Sequence, residues 1–309
     1  MTGNPFAPGA AFPPPAHDDP LPPARITDEG VRVLSGVPYA DLPGVRPLEL
    51  DLYLPPAGTA GTGAAVIFLH GGGWQLGSRR LLGPAYARWS PSALERIAVA
   101  GIAVASADYR LSGEARWPAQ LHDAKAAVRW LRARSDELGI DPDRIAAWGE
   151  SAGAHLALLL GLTGDELDGS VGVTGGSTSV SAVVSWYAPS DFLALAADAG
   201  ADPTAPDSLE ARLLGAPLSS VPELARQASP ITYVRPDAPP ILLLHGRDDR
   251  LIPCAQSERL AAALDAAGAP VVFDSLAGAD HTWFGSPHAP AQALERSIAF
   301  LLDPWTTGA

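Results

Sequence analysis

Ser151 stands in a setting that is typical of a nucleophile. The chain reads Gly149-Glu150-Ser151-Ala152-Gly153 between a short apolar run and an apolar helical segment, which matches the pattern G-x-S-x-G. Small residues on either side of the serine permit a sharp strand-to-helix turn that exposes its hydroxyl group. The free N–H groups at the start of the helix also favour negative charge there. We therefore interpret Ser151 as a candidate nucleophile.

A nucleophilic serine needs a base to take its proton and a carboxylate to orient that base. Two segments near the C-terminus supply such residues after short apolar runs. The first contains Asp248 and Asp249, and the second contains His281. The interval between them leaves room for one helix, one strand and two loops. The residues predict a Ser-acid-His arrangement, with either aspartate as the acid.

Stabilising a tetrahedral oxyanion requires backbone N–H groups that point at the developing charge. The segment His70-Gly71-Gly72-Gly73-Trp74 follows an apolar run, and its consecutive glycines permit close backbone approach. The N–H of Ala152, next to the serine, is a further candidate. A phosphate-binding loop is the competing interpretation, but neither G-x-G-x-x-G nor G-x-x-x-x-G-K-[ST] occurs here. We expect the oxyanion hole to be formed by N–H groups of this glycine loop and of Ala152.

Predicted strands and helices alternate along the chain, and they must position these residues. Residues 31–37 and 47–54 read as two antiparallel strands, and the second shows alternating leucines. Six short apolar runs read as buried parallel strands: residues 64–69, 101–107, 144–148, 180–186, 240–245 and 270–275. The best helical pattern covers residues 118–138. The alternation predicts an α/β protein with an eight-stranded, mostly parallel sheet covered by helices on both faces.

The sequence also predicts the domain organisation. Residues 1–24 are rich in proline, and we expect a disordered arm outside the fold. Residues 25–305 contain no linker, which predicts a single domain. Residues 191–239 are too many for one crossover helix, and prolines divide them into short pieces. We interpret this stretch as a small cap insertion over the carboxyl ends of the strands.

Composition excludes several classes of protein. The net charge is −13 and the hydrophobic fraction is 47%, so nucleic acid is an unlikely partner and a small-molecule substrate fits better. No apolar stretch approaches the roughly 20 residues that span a bilayer.

Cys254 is the single cysteine, and the N-terminus lacks a secretory pattern, so we expect a cytoplasmic location. We expect no metal and no cofactor, and the oligomeric state stays open, with a homodimer as one option.

Three segments carry a resemblance to a known family. Residues 108–121 look like the D-Y-R-L-x-x-E-x-x-x-P-A stretch of esterases, although Ser112-Gly113 replaces the usual Ala-Pro. Residues 149–157 resemble the elbow G-E-S-A-G-G-H-L-A, and residues 245–257 resemble the acid loop H-G-x-x-D-x-x-I-P. From about Val31 to Leu302 the chain resembles α/β-hydrolase esterases and lipases, similar to the hormone-sensitive-lipase-like and feruloyl/acetylxylan-esterase-like groups. The acid-loop spacing selects Asp249 over Asp248.

The resemblance implies a serine carboxylesterase acting on short-chain esters through an acyl-enzyme. Ser151 would attack the ester carbonyl, His281 would act as base and then acid, and Asp249 would orient His281. The N–H groups of Gly72, Gly73 and Ala152 would bind the oxyanion. An arylformamidase of the kynurenine-formamidase type is the alternative, and a non-catalytic ligand receptor on the same fold is a further one. Aromatic residues beside the predicted strand ends are candidates for the substrate pocket: Trp74, Trp186, Trp283 and Phe284.

Overall fold

A central β-sheet organises the protein in the computed structural model, which describes residues 16–42, 46–59 and 62–303. In this part of the chain the sheet has nine strands in the order β1-β2-β3-β5-β4-β6-β7-β8-β9. The strands are β1 (Arg25–Ile26), β2 (Arg32–Ala40), β3 (Leu48–Leu54), β4 (Ala65–Leu69), β5 (Ala103–Ala107), β6 (Ile145–Glu150), β7 (Val183–Trp186), β8 (Ile241–Gly246) and β9 (Val271–Leu276).

The sheet changes from antiparallel to parallel as the sequence pattern predicts. Strands β1, β2, β3 and β5 pair antiparallel, whereas β5, β4, β6, β7, β8 and β9 pair parallel. The central strands β4, β5, β6, β7 and β8 are buried along their whole length, which is why their sequences are continuous apolar runs. Their carboxyl ends lie at one edge of the sheet.

Helices cover both faces of the sheet. They are α1 (Gly83–Tyr86), α2 (Ala93–Val99), α3 (Ala119–Ala133), α4 (Ser135–Leu138), α5 (Ala152–Thr163), α6 (Phe192–Asp198), α7 (Leu209–Leu214), α8 (Pro222–Ala228), α9 (Ala255–Ala267) and α10 (Ala289–Leu302). Two large cores and one small cluster of buried side chains lie between the helices and the sheet. The α/β class expected from the sequence is confirmed.

Two details differ from the sequence prediction. The ninth strand is β1, a two-residue exposed segment paired with β2, and two residues are too few to show a periodic pattern. The helix predicted over residues 118–138 is divided into α3 and α4, because Arg134 leaves the helical conformation at φ −105° and ψ 16°. Gly139, in the left-handed region at φ 69°, then ends α4.

Part of the predicted N-terminal arm lies against the domain. Residues 1–15 lie outside the described residues, but Ala16–Asp18 forms a 3-10 turn. The carbonyl oxygen of His17 accepts a hydrogen bond from Trp130 Nε1 at 3.0 Å, and that of Asp19 accepts one from Arg134 at 2.6 Å. These bonds fix residues 17–19 to α3, so the arm outside the fold does not extend to them.

The stretch 191–239 forms three short helices, α6, α7 and α8, with two 3-10 turns. Asp191 caps α6 by accepting hydrogen bonds from the N–H groups of Leu193 and Ala194. The carbonyl of Ala228, at the end of α8, contacts His155 Nε2 on α5 at 2.7 Å. This stretch is therefore attached to the helix that follows Ser151.

No helix in the described part of the chain has the length and apolarity to cross a membrane.

Candidate active site

Ser151 occupies a strained turn between β6 and α5. Its backbone has φ 51° and ψ −119°, a conformation that residues with a Cβ rarely adopt. The N–H of Ser151 donates to the carbonyl of Trp186 on β7 at 2.8 Å. A Cβ on Gly153 would lie 2.0 Å from the carbonyl oxygen of Leu69, so only glycine allows α5 to start this close to β4. The turn presents the Ser151 side chain at the carboxyl edge of the sheet.

Three of the predicted residues form a chain of hydrogen bonds at this edge. His281 Nδ1 lies 2.7 Å from Asp249 Oδ2, and His281 Nε2 lies 3.0 Å from Ser151 Oγ. A carboxylate can only accept, so Nδ1–H donates to Asp249, and the lone pair on Nε2 accepts from the Ser151 hydroxyl. The chain therefore has the geometry that lets a histidine take the proton of a serine.

Asp249 is held ionised and fixed in direction. Its Oδ1 accepts hydrogen bonds from the N–H groups of Leu251 and Ile252, at 2.9 and 2.8 Å. Burial raises the pKa of Asp249, but the hydrogen bonds with His245 and His281 outweigh this effect and lower the pKa to about 2. Asp248 is exposed to solvent. The structure thus places Asp249, and not Asp248, against His281.

The glycine loop presents free backbone donors beside Ser151. Within the described residues, no hydrogen bond engages the N–H groups of Gly72, Gly73 or Ala152, and these three residues line the same cavity. Gly72 has φ 115°, and a Cβ there would lie 2.1 Å from the carbonyl oxygen of Leu76. His70 is buried and stacks on Tyr109 with ring centroids 4.3 Å apart, which supports the loop from below.

Glu150 and Tyr187 belong to the site although sequence reasoning did not select them. Glu150 Oε1 accepts hydrogen bonds from the N–H groups of Gly71 and Gly83, at 3.2 and 2.9 Å, and Oε2 accepts from the Tyr187 hydroxyl at 2.8 Å. The Tyr187 ring packs edge-on against His281 at 4.8 Å. Burial raises the pKa of Glu150 despite these bonds. Glu150 therefore ties the glycine loop, α1 and the histidine together.

A cavity of about 510 Å³ opens above Ser151. The glycine loop, Trp74, Leu76 and Leu81 line one part of it, and Leu209 and Ile252 line another. Most of this wall is apolar, and no lysine or arginine is among the described residues that line it. A cavity of this volume and lining is typical of sites for small, largely apolar ligands.

The predicted aromatic pocket is wrong in three of its four members. Trp74 lines the cavity, but Trp186 does not: it is fully buried, and its Nε1 donates to Ser297 Oγ at 2.9 Å. Trp283 is buried against Trp186, with ring centroids 5.6 Å apart. Phe284 is 68% exposed and lines a separate surface groove. Proximity to a strand end did not determine the direction of these rings.

The sheet order, the strained serine turn and the position of the insertion define the class of the protein: it has the α/β-hydrolase fold. The family model described as BD-FAE matches residues 50–264. The chain belongs to the BD-FAE family.

Similar proteins carry esterase names. Esterase LipC of Mycobacterium tuberculosis is 38% identical over 232 residues, which are 69% of this chain and 54% of LipC. A truncated carbohydrate esterase from gut microbiota has a TM-score of 0.76 and 30% identity, and covers 91% of this chain and 99% of its own. Esterase 2 of Thermogutta terrifontis, phosphorylated by paraoxon, has a TM-score of 0.67 and 26% identity, with coverages of 88% and 94%. The chain spans little more than half the length of the curated relatives LipC, LipQ and LipM.

Proposed function

We propose that this protein is a serine carboxylesterase that hydrolyses short-chain carboxylic esters through an acyl-enzyme. The observation that carries the proposal is the continuous hydrogen-bonded chain from Ser151 through His281 to Asp249, beside three backbone N–H groups that bond to no other described residue. The esterase names of relatives in two comparisons support the same reaction.

In the first half of the reaction, Ser151 Oγ attacks the ester carbonyl while His281 Nε2 takes the hydroxyl proton. The negative charge that develops on the carbonyl oxygen is stabilised by the N–H groups of Gly72, Gly73 and Ala152, each of which contributes about 10²- to 10³-fold in rate in comparable sites. His281 then gives the proton to the departing alcohol. The product of this half is an ester between the acyl group and Ser151.

In the second half, His281 Nε2 takes a proton from water, and the oxygen of that water attacks the acyl carbonyl. The same N–H groups stabilise the second oxyanion, and Ser151 Oγ leaves with the proton from His281. Asp249 stays ionised throughout, because hydrogen bonds hold its pKa at about 2. Its negative charge stabilises the positively charged imidazole that forms in both halves.

The cavity supports the short-chain assignment. Its volume of about 510 Å³ lies in the lower half of the range of roughly 300–1,000 Å³ for small-molecule sites. It accommodates a small ester with both its acyl and its alcohol portion. Short helix α7 contributes Leu209 to the wall, so we propose that the stretch 191–239 acts as a cap over the site.

The experiment is a hydrolysis assay with para-nitrophenyl esters of increasing acyl length. We expect the highest kcat/KM with short acyl groups and no activity above background in Ser151→Ala. Parallel assays with formyl-kynurenine separate an esterase from an arylformamidase, since the latter would prefer the formamide. Activity retained by Ser151→Ala would contradict the mechanism, and a preference for long chains would contradict the substrate class.

A further inference from the structure

Glu210 is a buried acid in the wall of the cavity, and it has no basic partner among the described residues. It lies on α7, is 9% exposed and lines the cavity above Ser151. No ion pair among the described residues involves its carboxylate. Its partners are its own backbone N–H and the hydroxyl of Ser208, and neither carries a charge. Burial raises the pKa of Glu210 against these two bonds.

Three other buried acids of this protein are paired with arginine. Asp51 and Asp108 share the guanidinium of Arg79, and Asp123 pairs with Arg110. Burying an acid without such a partner is unfavourable. Among the described residues Glu210 forms no such ion pair, and only two uncharged donors offset the cost of its burial.

Glu150 is the other carboxylate among the described residues that line the cavity. Its two oxygens are already bound by two backbone N–H groups and by Tyr187, so it serves the protein rather than a ligand. Glu210 has no comparable set of donors. Within this cavity, Glu210 is thus the acid that a ligand can satisfy.

A second pocket adjoins the cavity at Glu210. This side pocket, of about 230 Å³, is lined by α6, α7 and the loop after β8, and it shares Leu209, Glu210, Leu251 and Ile252 with the cavity. Asp202 also lines it. No described residue lining either space is a lysine or arginine. The junction therefore has one acidic group, Glu210, apolar walls and room for a small substituent.

We propose that Glu210 is a specificity-determining residue that selects esters bearing a positively charged ammonium group, which it binds at the junction of the cavity and the side pocket. This inference rests on the proposed esterase function and extends it to a substrate class. A bound cation supplies the charge that the fold does not provide, and apolar walls suit the alkyl groups around the nitrogen. The position of Glu210 in the first turn of α7 favours the helix, but it does not require burial in a ligand cavity.

The test uses two pairs of esters that differ only in charge. One pair is choline butanoate and its isostere with a tert-butyl group in place of trimethylammonium, which places the charge on the alcohol. The other is the ethyl ester of a trimethylammonio-substituted butanoic acid and its tert-butyl isostere, which places it on the acyl group. In Glu210→Gln we expect the ratio of kcat/KM for the charged ester to that for the isostere to fall by about tenfold or more in at least one pair.

Two controls separate the possible causes. Glu223→Gln removes an exposed acid on α8 of the same insertion and should leave both ratios unchanged. Calorimetric binding of the same esters to Ser151→Ala and to the Ser151→Ala, Glu210→Gln double variant measures selection without turnover. If the wild-type protein hydrolyses no ester, the proposed function is wrong. The binding data still show whether Glu210 selects the charged esters in that case. Equal effects of Glu210→Gln on charged and neutral members of both pairs would overturn the inference.

Discussion

Replacing Asp249 by asparagine is the perturbation with the most specific structural consequence. Oδ1 of Asp249 accepts from the N–H groups of Leu251 and Ile252, and Oδ2 faces His281 Nδ1. An asparagine keeps one acceptor oxygen, and the two backbone donors favour leaving it where Oδ1 now lies. The amide NH₂ then faces His281, so Nδ1 must become an acceptor and Nε2 must carry the proton.

A protonated Nε2 cannot accept the hydroxyl proton of Ser151, so the variant loses its general base without losing the fold. In a comparable triad this exchange lowers kcat by about 10⁴-fold, which corresponds to about 5 kcal/mol of transition-state stabilisation. We expect a loss of this size in the hydrolysis of para-nitrophenyl butanoate, with KM little changed. Circular dichroism would verify that the variant is folded.

Asp248→Asn is the matched control, since Asp248 is the exposed neighbour. Its activity should remain within about twofold of wild type, because surface substitutions change little. If Asp249→Asn kept a tenth or more of the wild-type kcat, or if Asp248→Asn lost as much activity, the assignment of the acid and the reasoning about the tautomer would be refuted.

Four further outcomes follow from the described contacts. Gly72→Ala should lower kcat by about 10²-fold or more in the same assay, because its Cβ would displace the loop at Leu76; unchanged kcat would place the oxyanion hole elsewhere. Glu150→Ala should lower kcat more than Glu150→Gln, since only glutamine still accepts from the loop N–H groups; equal kcat values would contradict this. Arg79→Ala should cost about 3–5 kcal/mol in urea unfolding, because it removes the ion-pair partner of the buried Asp51 and leaves Asp108 only its longer contact with Arg46. The pKa of Asp249 is lower in the folded protein than in the unfolded chain, so its ionisation contributes roughly 2 kcal/mol to folding stability. This stabilisation is present above pH 4 and is lost as the pH falls towards 2. Thermal melts of Asp249→Asn over a pH series should lack that loss.

The sequence predicted the sheet and the candidate catalytic residues because both depend on local patterns. Each apolar run fixes a strand, and in parallel strands the residues that follow such runs meet at one edge. Ser151 directly follows β6, and Asp249 and His281 lie in the loops after β8 and β9, so their convergence followed from the element order. The short strand β1 had no such pattern to reveal it.

The rest of the site depends on contacts that a local pattern does not contain. Glu150 is bound by Gly71 and Gly83, which are 79 and 67 positions away. Trp186 packs against Trp148 and Trp283 instead of lining the cavity, and these ring contacts join residues that are far apart in the sequence. Glu210 read as an ordinary residue of a short helix, since its burial arises only when α7 packs over the cavity.

In the proposed mechanism, His281 activates Ser151 as the nucleophile. The most direct measurement is mass spectrometry of peptides after reaction with paraoxon, to which an activated serine bonds covalently. We expect a single diethylphosphoryl adduct on Ser151 that forms in parallel with loss of esterase activity, and only slow labelling in His281→Ala. An adduct on another residue, or loss of activity without modification of Ser151, would contradict the account.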